Sequence, residues 1–164
     1  ESNLVSRTPL GAMNDLNNFV RIDDRLTTSG QPLADQFQAL AGEECRSVIN
    51  LATPDSKGAI PNEGEIISSL GMTYIQIPVT WTAPTRADWD LFSGILKSDD
   101  RKTHVHCVVN MRASAFTFLY RTIHAVVDPA EAKLPMDEAW TPDGIWEEFI
   151  DEVLRDHNID YYSI

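Results

Sequence analysis

Apolar and polar residues alternate along several short segments of the chain, and this pattern predicts β-strands. Residues 19–22 and 26–29 flank Asp23 and Asp24, so we expect two short strands joined by a turn. Later apolar runs of four or five residues are typical of buried strands. The sequence therefore predicts further strands at residues 47–51, 73–77 and 103–107.

Between these strands the apolar residues recur at helical spacing. Gly42 follows the first such segment, and glycine commonly ends a helix. Thr85 and Asp88 have the spacing of a capping box, and Asp128 before Pro129 is typical of a helix start. The sequence predicts helices at residues 33–41, 62–70, 86–97, 113–127, from 129 onward, and 145–157.

The repeated order of strand and helix predicts an α/β fold. Since parallel strands are covered by helices on both faces, we expect three layers, with a mostly parallel central sheet of 4–5 strands. The chain has 164 residues and neither a repeat nor a long linker, so we predict one domain over residues 1–164. Within it, we expect residues 1–15 to be an extended or loosely ordered N-terminal segment.

The charge balance excludes some classes of partner. Asp plus Glu total 25 against 13 Lys plus Arg, which gives a formal net charge of -12. Such a chain is repelled by nucleic acid and by anionic membrane surfaces, so we expect neither as a partner. We also find no segment with the roughly 20 apolar residues of a transmembrane helix. A phosphorylated ligand would have to bind through a small local site.

The two cysteines are predicted to be free thiols. Cys45 precedes one predicted strand and Cys107 ends another, so they should lie at opposite ends of neighbouring strands. A disulfide requires Cα atoms within about 7 Å. We therefore expect a structural Cys45 and a reactive Cys107. The chain begins at Glu1 rather than Met, which favours a periplasmic or otherwise exported protein over a cytoplasmic one.

The segment after the last strand carries the candidate chemistry. Cys107 stands where that strand ends and just before a helix, which is where open α/β sheets bind ligands. The amide N–H groups of the loop and the helix N-terminus both attract an anion and stabilise a thiolate. Arg112 could clamp a tetrahedral oxyanion, and Ser114 could hydrogen-bond the sulfur. The intervening loop residues complete the predicted anion site: Val108, Val109, Asn110, Met111 and Ala113.

Several other side chains have candidate roles around this loop. His106 is expected to face inward and to orient the loop by hydrogen bonds. Trp81 and Asp55, on loops after two other predicted strands, are expected to line or rim the same site, and Lys57 could join Asp55. His104 alternates with His106 on one strand face. Two ligands without a third are weak grounds for a metal, so we predict no metal site.

The loop resembles the signature of cysteine-dependent protein tyrosine and dual-specificity phosphatases, which is His-Cys, five residues, Arg, then Ser or Thr. The likeness extends to the Thr-Ser-Gly-Gln-Pro segment at 28–32, the strand at 47–51, the Ile-Pro-Val segment at 77–79, and residues 105–116. These segments occur in the order seen in the bacterial family DUF442, a family of phosphatase-like proteins, which the chain resembles in particular.

The resemblance implies a phosphatase mechanism. Cys107 would attack phosphorus and form a phosphocysteine, while Arg112 and the loop amides bind the equatorial oxygens. A general acid would protonate the leaving alcohol, and water would then hydrolyse the intermediate. The resemblance implies a small phosphorylated substrate and requires neither a metal nor another cofactor.

Two departures from the signature matter for this mechanism. Only four residues separate Cys107 from Arg112, so Ala113 occupies the usual position of the arginine, and Asn110 replaces the usual glycine. The family places an acidic Asp on the loop after the third main strand, but residues 79–84 contain no carboxylate. Asp88 is better explained as the N3 residue of a helix start.

These departures leave three functions open. The first is a weak or unusual phosphatase, which we rank first because the resemblance spans the domain. The second is a pseudophosphatase that binds phosphate or sulfate groups without turnover. The third is a sulfurtransferase with a Cys107 persulfide, because rhodanese loops also begin with Cys at a strand end and are shorter than phosphatase loops.

Overall fold

The computed structural model describes residues 12–164; residues 1–11, the greater part of the predicted loose N-terminal segment, lie outside the described range. The remainder of that segment is ordered, since Met13–Asp15 forms a 3-10 helix and buries Met13. The α-helices are α1 (Phe37–Gly42), α2 (Glu63–Ser69), α3 (Arg86–Ser98), α4 (Met111–Ile123), α5 (Pro129–Ala139) and α6 (Gly144–Arg155).

Five strands form one sheet in the order β1-β2-β5-β3-β4. They are β1 (Val20–Arg21), β2 (Leu26–Ser29), β3 (Ser47–Asn50), β4 (Thr73–Gln76) and β5 (Thr103–His106). The pair of β1 with β2 is antiparallel, and the other three pairs are parallel. The predicted mostly parallel sheet is thus confirmed, and β5 occupies its centre.

Apolar side chains cover the two faces of the sheet in separate clusters. One cluster contains Phe37 of α1 and Ile67 of α2. The other contains Phe92 of α3, Phe116 of α4 and Ile150 of α6. Helices therefore flank the sheet on both sides, which confirms the predicted three-layer α/β fold.

Helix α4 differs from the prediction at both ends. It begins at Met111 rather than at residue 113, and it ends at Ile123 rather than at residue 127. Asn110 adopts a left-handed conformation, with φ of 72°. This conformation turns the backbone, so the helix begins at the next residue. Asparagine tolerates this conformation better than most residues. A left-handed Asn110 also explains how it can replace the glycine of the phosphatase signature.

Smaller differences affect the first elements. The strand predicted at residues 19–22 is reduced to Val20–Arg21, and the helix predicted at 33–41 begins as a 3-10 turn at Ala34–Gln36 before α1. The start of α3 agrees with the prediction, because the Asp88 amide donates to Oγ1 of Thr85 at 3.1 Å. Both cysteines are free, as predicted, and the structure buries both.

Candidate active site

Cys107 lies at the carboxyl end of β5, between the ends of β2 and β3. Its backbone amide donates to the carbonyl of Ser29 at 3.3 Å, and the side chain is buried with 1% exposure. The loop that follows spans three residues before α4 begins at Met111. The strand therefore delivers the sulfur directly to the N-terminus of a 13-residue helix.

Residues near the start of the chain donate hydrogen bonds to the carbonyl groups of the loop. The Val108 carbonyl accepts hydrogen bonds from the Gln31 amide at 2.9 Å and from the Asn17 side chain at 3.3 Å. The Val109 carbonyl accepts one from the Asn18 side chain at 3.1 Å. These bonds fix the peptide planes of the loop, and with them the directions of its N–H groups.

The segment at residues 28–32 lies so close to the Cys107 loop that position 30 must be a glycine. A Cβ atom at Gly30 would lie 2.4 Å from the Val108 carbonyl oxygen and 2.6 Å from Nδ2 of Asn17. Neither distance is compatible with an ordinary non-bonded contact. Gly30 belongs to the Thr-Ser-Gly-Gln-Pro segment that resembles the phosphatase family, so the structure supplies a physical reason for that part of the motif.

Several amides at the junction of loop and helix have no internal partner. Within residues 12–164, no acceptor lies in hydrogen-bonding geometry for the backbone N–H groups of Val108, Met111 and Arg112. The first N–H groups of a helix are intrinsically unpaired and carry the positive end of its dipole. This arrangement suits an anion beside Cys107.

A cavity of about 180 Å³ opens beside the sulfur. Three of its lining residues carry the unpaired amides, and the lining also includes apolar side chains and one cation. The lining residues are Trp81, Cys107, Val108, Val109, Met111 and Arg112. Six of the residues predicted from the sequence are thereby brought together, and none of the lining residues is a carboxylate.

Arg112 lies in the cavity wall and also binds the loop after β4. Its side chain is 6% exposed, and one terminal N–H donates to the Val79 carbonyl at 2.7 Å. Val79 belongs to the loop after β4, where the phosphatase family places its acid. Because guanidinium carries five N–H groups, the bond to Val79 leaves donors available on the same side chain.

Four predicted anion-binding or catalytic residues lie elsewhere. Asn110 is fully buried and turns its amide group away from the cavity, donating to the Asn18 carbonyl at 2.8 Å and to Oγ1 of Thr28 at 3.0 Å. Ala113 packs into the apolar core instead of lining the cavity. The hydrogen bonds of Asn110 hold its side chain in the interior, and the helix start at Met111 places Ala113 on the buried face of the helix.

Ser114 does not contact the sulfur in the structure. Its hydroxyl donates to the Met111 carbonyl, one helical turn earlier, at 3.1 Å and accepts a bond from Nε1 of Trp140 at 3.0 Å. Asp55 is also not among the cavity-lining residues. Its carboxylate accepts a hydrogen bond from the hydroxyl of Thr53 within its own loop.

Trp81 lies at the cavity as predicted, and its ring is 41% exposed. It packs against Trp140 and Trp146, with ring centroids 5.5 Å away in both cases. Nε1 of Trp146 donates to the Trp81 carbonyl at 2.8 Å. The tryptophan cluster (Trp81, Trp140 and Trp146) therefore fixes the loop after β4 against α5 and α6.

His106 lies beneath the loop and is fully buried. Its Nδ1 atom is 3.2 Å from the Cys107 carbonyl, and its Nε2 atom is 2.6 Å from a carboxylate oxygen of Glu63. The other oxygen of Glu63 accepts a bond from the Gln31 side chain at 2.8 Å. Sequence reasoning placed His106 under the loop but missed Glu63, whose position in an ordinary amphipathic helix gives no sign of burial.

His104, two residues earlier on β5, has a different environment. Its two ring nitrogens lie 2.7 Å from the hydroxyls of Thr27 and Ser29. Complete burial holds the pKa of His104 well below its usual value, with a smaller contribution from His106. The imidazole is therefore neutral, and both of its nitrogens are engaged by hydroxyl groups. Among residues 12–164, no group of three His, Cys, Asp or Glu side chains has the arrangement of a metal site.

Comparison with known proteins places this site in context. No family model matches the chain. A 98-residue segment, 58% of the chain, is 34% identical to a beta-lactamase hydrolase-like protein of Xylella fastidiosa and covers 23% of it. A protein of the same description from Agrobacterium fabrum is 35% identical over 98 residues, 57% of the chain and 22% of that protein. The chain thus spans less than a quarter of the length of these curated relatives.

Solved structures cover nearly all of the fold. The crystal structure of "Putative phosphatase (DUF442)" from Shewanella putrefaciens CN-32 has a TM-score of 0.79 and 29% identity, over 88% of this chain and 95% of that one. PTPMT1 in complex with PI(5)P has a TM-score of 0.67 and 18% identity, over 85% of this chain and 98% of that one. The second likeness supports the fold alone. The predicted resemblance to DUF442 and to protein tyrosine phosphatase-like folds is confirmed.

A last observation concerns the length and polarity of the helices. In the part of the chain that the structure covers, the helices are all too short or too polar to cross a membrane.

Proposed function

We propose that the protein is a cysteine-dependent phosphatase that acts on phosphomonoesters whose leaving groups need little protonation. The observation that carries the proposal is the Cys107 cavity at a helix N-terminus, whose lining includes three residues with unpaired backbone amides: Val108, Met111 and Arg112. Preorganised donors of this kind bind a tetrahedral oxyanion and stabilise the charge that develops during transfer.

The proposed reaction has two steps. The Cys107 thiolate attacks phosphorus, an S–P bond forms, and the P–O bond to the leaving group breaks. Water then attacks phosphorus, the S–P bond breaks, and inorganic phosphate and the thiolate are released. Arg112 and the loop amides would hold the equatorial oxygens through both steps.

The absence of a carboxylate from the cavity lining limits the substrates. A general acid accelerates such reactions by about 10²–10⁴-fold when the leaving group is a poor one. We therefore expect aryl phosphates to be hydrolysed much faster than alkyl phosphates, because a phenolate can depart without receiving a proton. The exposed ring of Trp81 at the cavity is suited to contact such a group.

The test compares wild type with Cys107→Ser on p-nitrophenyl phosphate and on an alkyl phosphate. We expect vanadate-sensitive turnover of the aryl ester that disappears in the variant. Phosphate binding without turnover of either ester would contradict the proposal and support a phosphate-binding pseudophosphatase. Cys45→Ser serves as the control, since Cys45 is buried at the opposite end of the sheet.

The same cavity supports a second candidate function, sulfur transfer. The four-residue spacing from Cys107 to Arg112 is shorter than in phosphatases, and transfer of sulfur from thiosulfate releases sulfite as an anion, which needs no acid. The Cys107 thiolate would take the outer sulfur as a persulfide. Mass spectrometry after thiosulfate treatment would detect a gain of one sulfur atom on wild type and none on Cys107→Ser.

A further inference from the structure

The buried carboxylate of Glu63 is connected to the Cys107 loop by two routes. One oxygen is 2.6 Å from Nε2 of His106, whose other ring nitrogen contacts the Cys107 carbonyl. The second oxygen accepts a hydrogen bond from the side chain of Gln31, whose backbone amide donates to the Val108 carbonyl. A single side chain, 2% exposed, thereby supports two consecutive carbonyls of the loop.

The hydrogen-bonding requirements of this arrangement define where its protons lie. A backbone carbonyl only accepts, so the bond from His106 to Cys107 places a proton on Nδ1. The 2.6 Å contact between Nε2 and Glu63 then requires a second proton between the ring and the carboxylate. The pair therefore holds two protons in total, and the loop-facing side of the imidazole is always a donor.

The groups that face the pair are uncharged, so the charge distribution of the pair itself acts on the loop in a low-dielectric interior. His104 is neutral at a ring distance of 6.4 Å, burial raises the pKa of Tyr74 on β4, and Phe37 contributes an uncharged ring. Arg112 is the one cation among the residues that line the cavity with Cys107.

We propose that Glu63 is a positioning residue for Cys107. It keeps the proton on Nδ1 of His106, aims the amides of the loop at the cavity, and stabilises the thiolate through the shared proton of the pair. Only the statement that Cys107 reacts with a phosphate ester rests on the proposed function; the effect of Glu63 on the thiol does not. The reactivity of the thiol can be measured without any substrate.

Two substitutions separate the geometric from the electrostatic role. In Glu63→Gln the new amide can donate to Nε2 of His106 and accept from Gln31, so the geometry of the loop is retained while the shared proton is removed. In Glu63→Leu both links are lost. Glu65→Gln, an exposed position on the same helix, is the matched control.

The experiment measures the rate of Cys107 alkylation by iodoacetamide as a function of pH, on Cys45→Ser backgrounds. We expect the midpoint of the profile to move to higher pH by about one unit in Glu63→Gln, because removal of the shared proton removes the positive end of the pair, the imidazole that faces the loop. Glu65→Gln should match the parent protein. A Glu63→Gln profile that coincides with the control would overturn the electrostatic part of the proposal.

Binding of inorganic phosphate tests the geometric part. We expect the dissociation constant to rise about tenfold in Glu63→Leu, and Glu63→Gln to recover most of that loss, because only the glutamine preserves both links. Equal affinities in Leu and Gln variants would overturn the positioning role. Should wild type hydrolyse no phosphate ester while the alkylation profile still shifts, the proposed function fails and the role of Glu63 stands.

Discussion

The Cys107 loop has two sides of opposite character. On the rear side, carbonyls are bound by Asn17, Asn18, Gln31 and His106, and the backbone packs against Gly30. On the cavity side, amides lack internal partners and the surrounding side chains are mainly apolar. The difference shows how the loop keeps unpaired donors: the rear side fixes the peptide planes, so the cavity side remains available for an anion.

The largest effect is expected from Gly30→Ala on the rear side. The added methyl group would lie 2.4 Å from the Val108 carbonyl oxygen, so backbone must move. We expect the free energy of unfolding, measured with urea, to fall by about 3 kcal/mol. In Gly94→Ala, on α3, the new atom meets nothing within 4 Å, so stability should be unchanged or slightly increased. Similar losses in both variants would contradict a tight rear side.

On the cavity side, Arg112→Gln should weaken binding of inorganic phosphate by about 10- to 100-fold, the usual contribution of hydrogen bonds to a charged group. Calorimetric titration measures the change. Arg155→Gln, at an exposed position on α6, is the control. If Arg112 stays on the Val79 carbonyl when phosphate binds, the substitution will lower stability and leave affinity unaltered, which would exclude Arg112 from the anion site.

His104, on the strand that leads into the loop, gives the folding stability a dependence on pH. His104 is neutral in the folded protein because burial lowers its pKa, whereas in the unfolded chain it binds a proton below about pH 6.5. Folding stability due to His104 is therefore complete above that pH and decreases as pH falls, by about 1.4 kcal/mol per pH unit. His104→Gln should flatten the dependence measured by urea denaturation. His157→Gln, at an exposed position, is the matched control.

The smallest effect is expected from Asn18→Gly. Asn18 has a positive φ of 49°, which glycine adopts freely, so the substitution removes only the side-chain bond to the Val109 carbonyl. We expect a loss of about 1 kcal/mol in stability and a few-fold loss in phosphate affinity. An unchanged phosphate affinity would show that this rear-side bond does not shape the cavity.

Sequence reasoning was most successful where the determining interactions are local. The apolar run of β5, the cysteine at its end and the helix that follows are all read from neighbouring residues. Trp81 also lies at the cavity, because loops after parallel strands meet at one edge of the sheet. Asn110, Ala113 and Ser114 lie away from the cavity. Asn110 takes the left-handed conformation and is buried, and the helix begins two residues earlier than predicted, which turns Ala113 and Ser114 into the interior.

The rear side was not predictable in the same way. Glu63 is 43 positions from His106, and nothing in its own helix distinguishes it from the exposed Glu65. Asn17 and Asn18 precede the first strand, in a region without a strong pattern. Their roles depend on how distant segments meet in the folded sheet, which hydrophobic periodicity does not specify.

The bonds from Asn17 and Asn18 to the loop have a consequence for folding kinetics. Each joins residues 91 positions apart, so it can form only after the chain has closed a long loop and β2 has paired with β5. Contacts of such high sequence separation are entropically costly and form slowly. The anion cradle is therefore assembled only when the whole sheet is in place. An isolated peptide with the sequence of residues 104–116 would contain the cysteine and the arginine without the geometry that makes them a site.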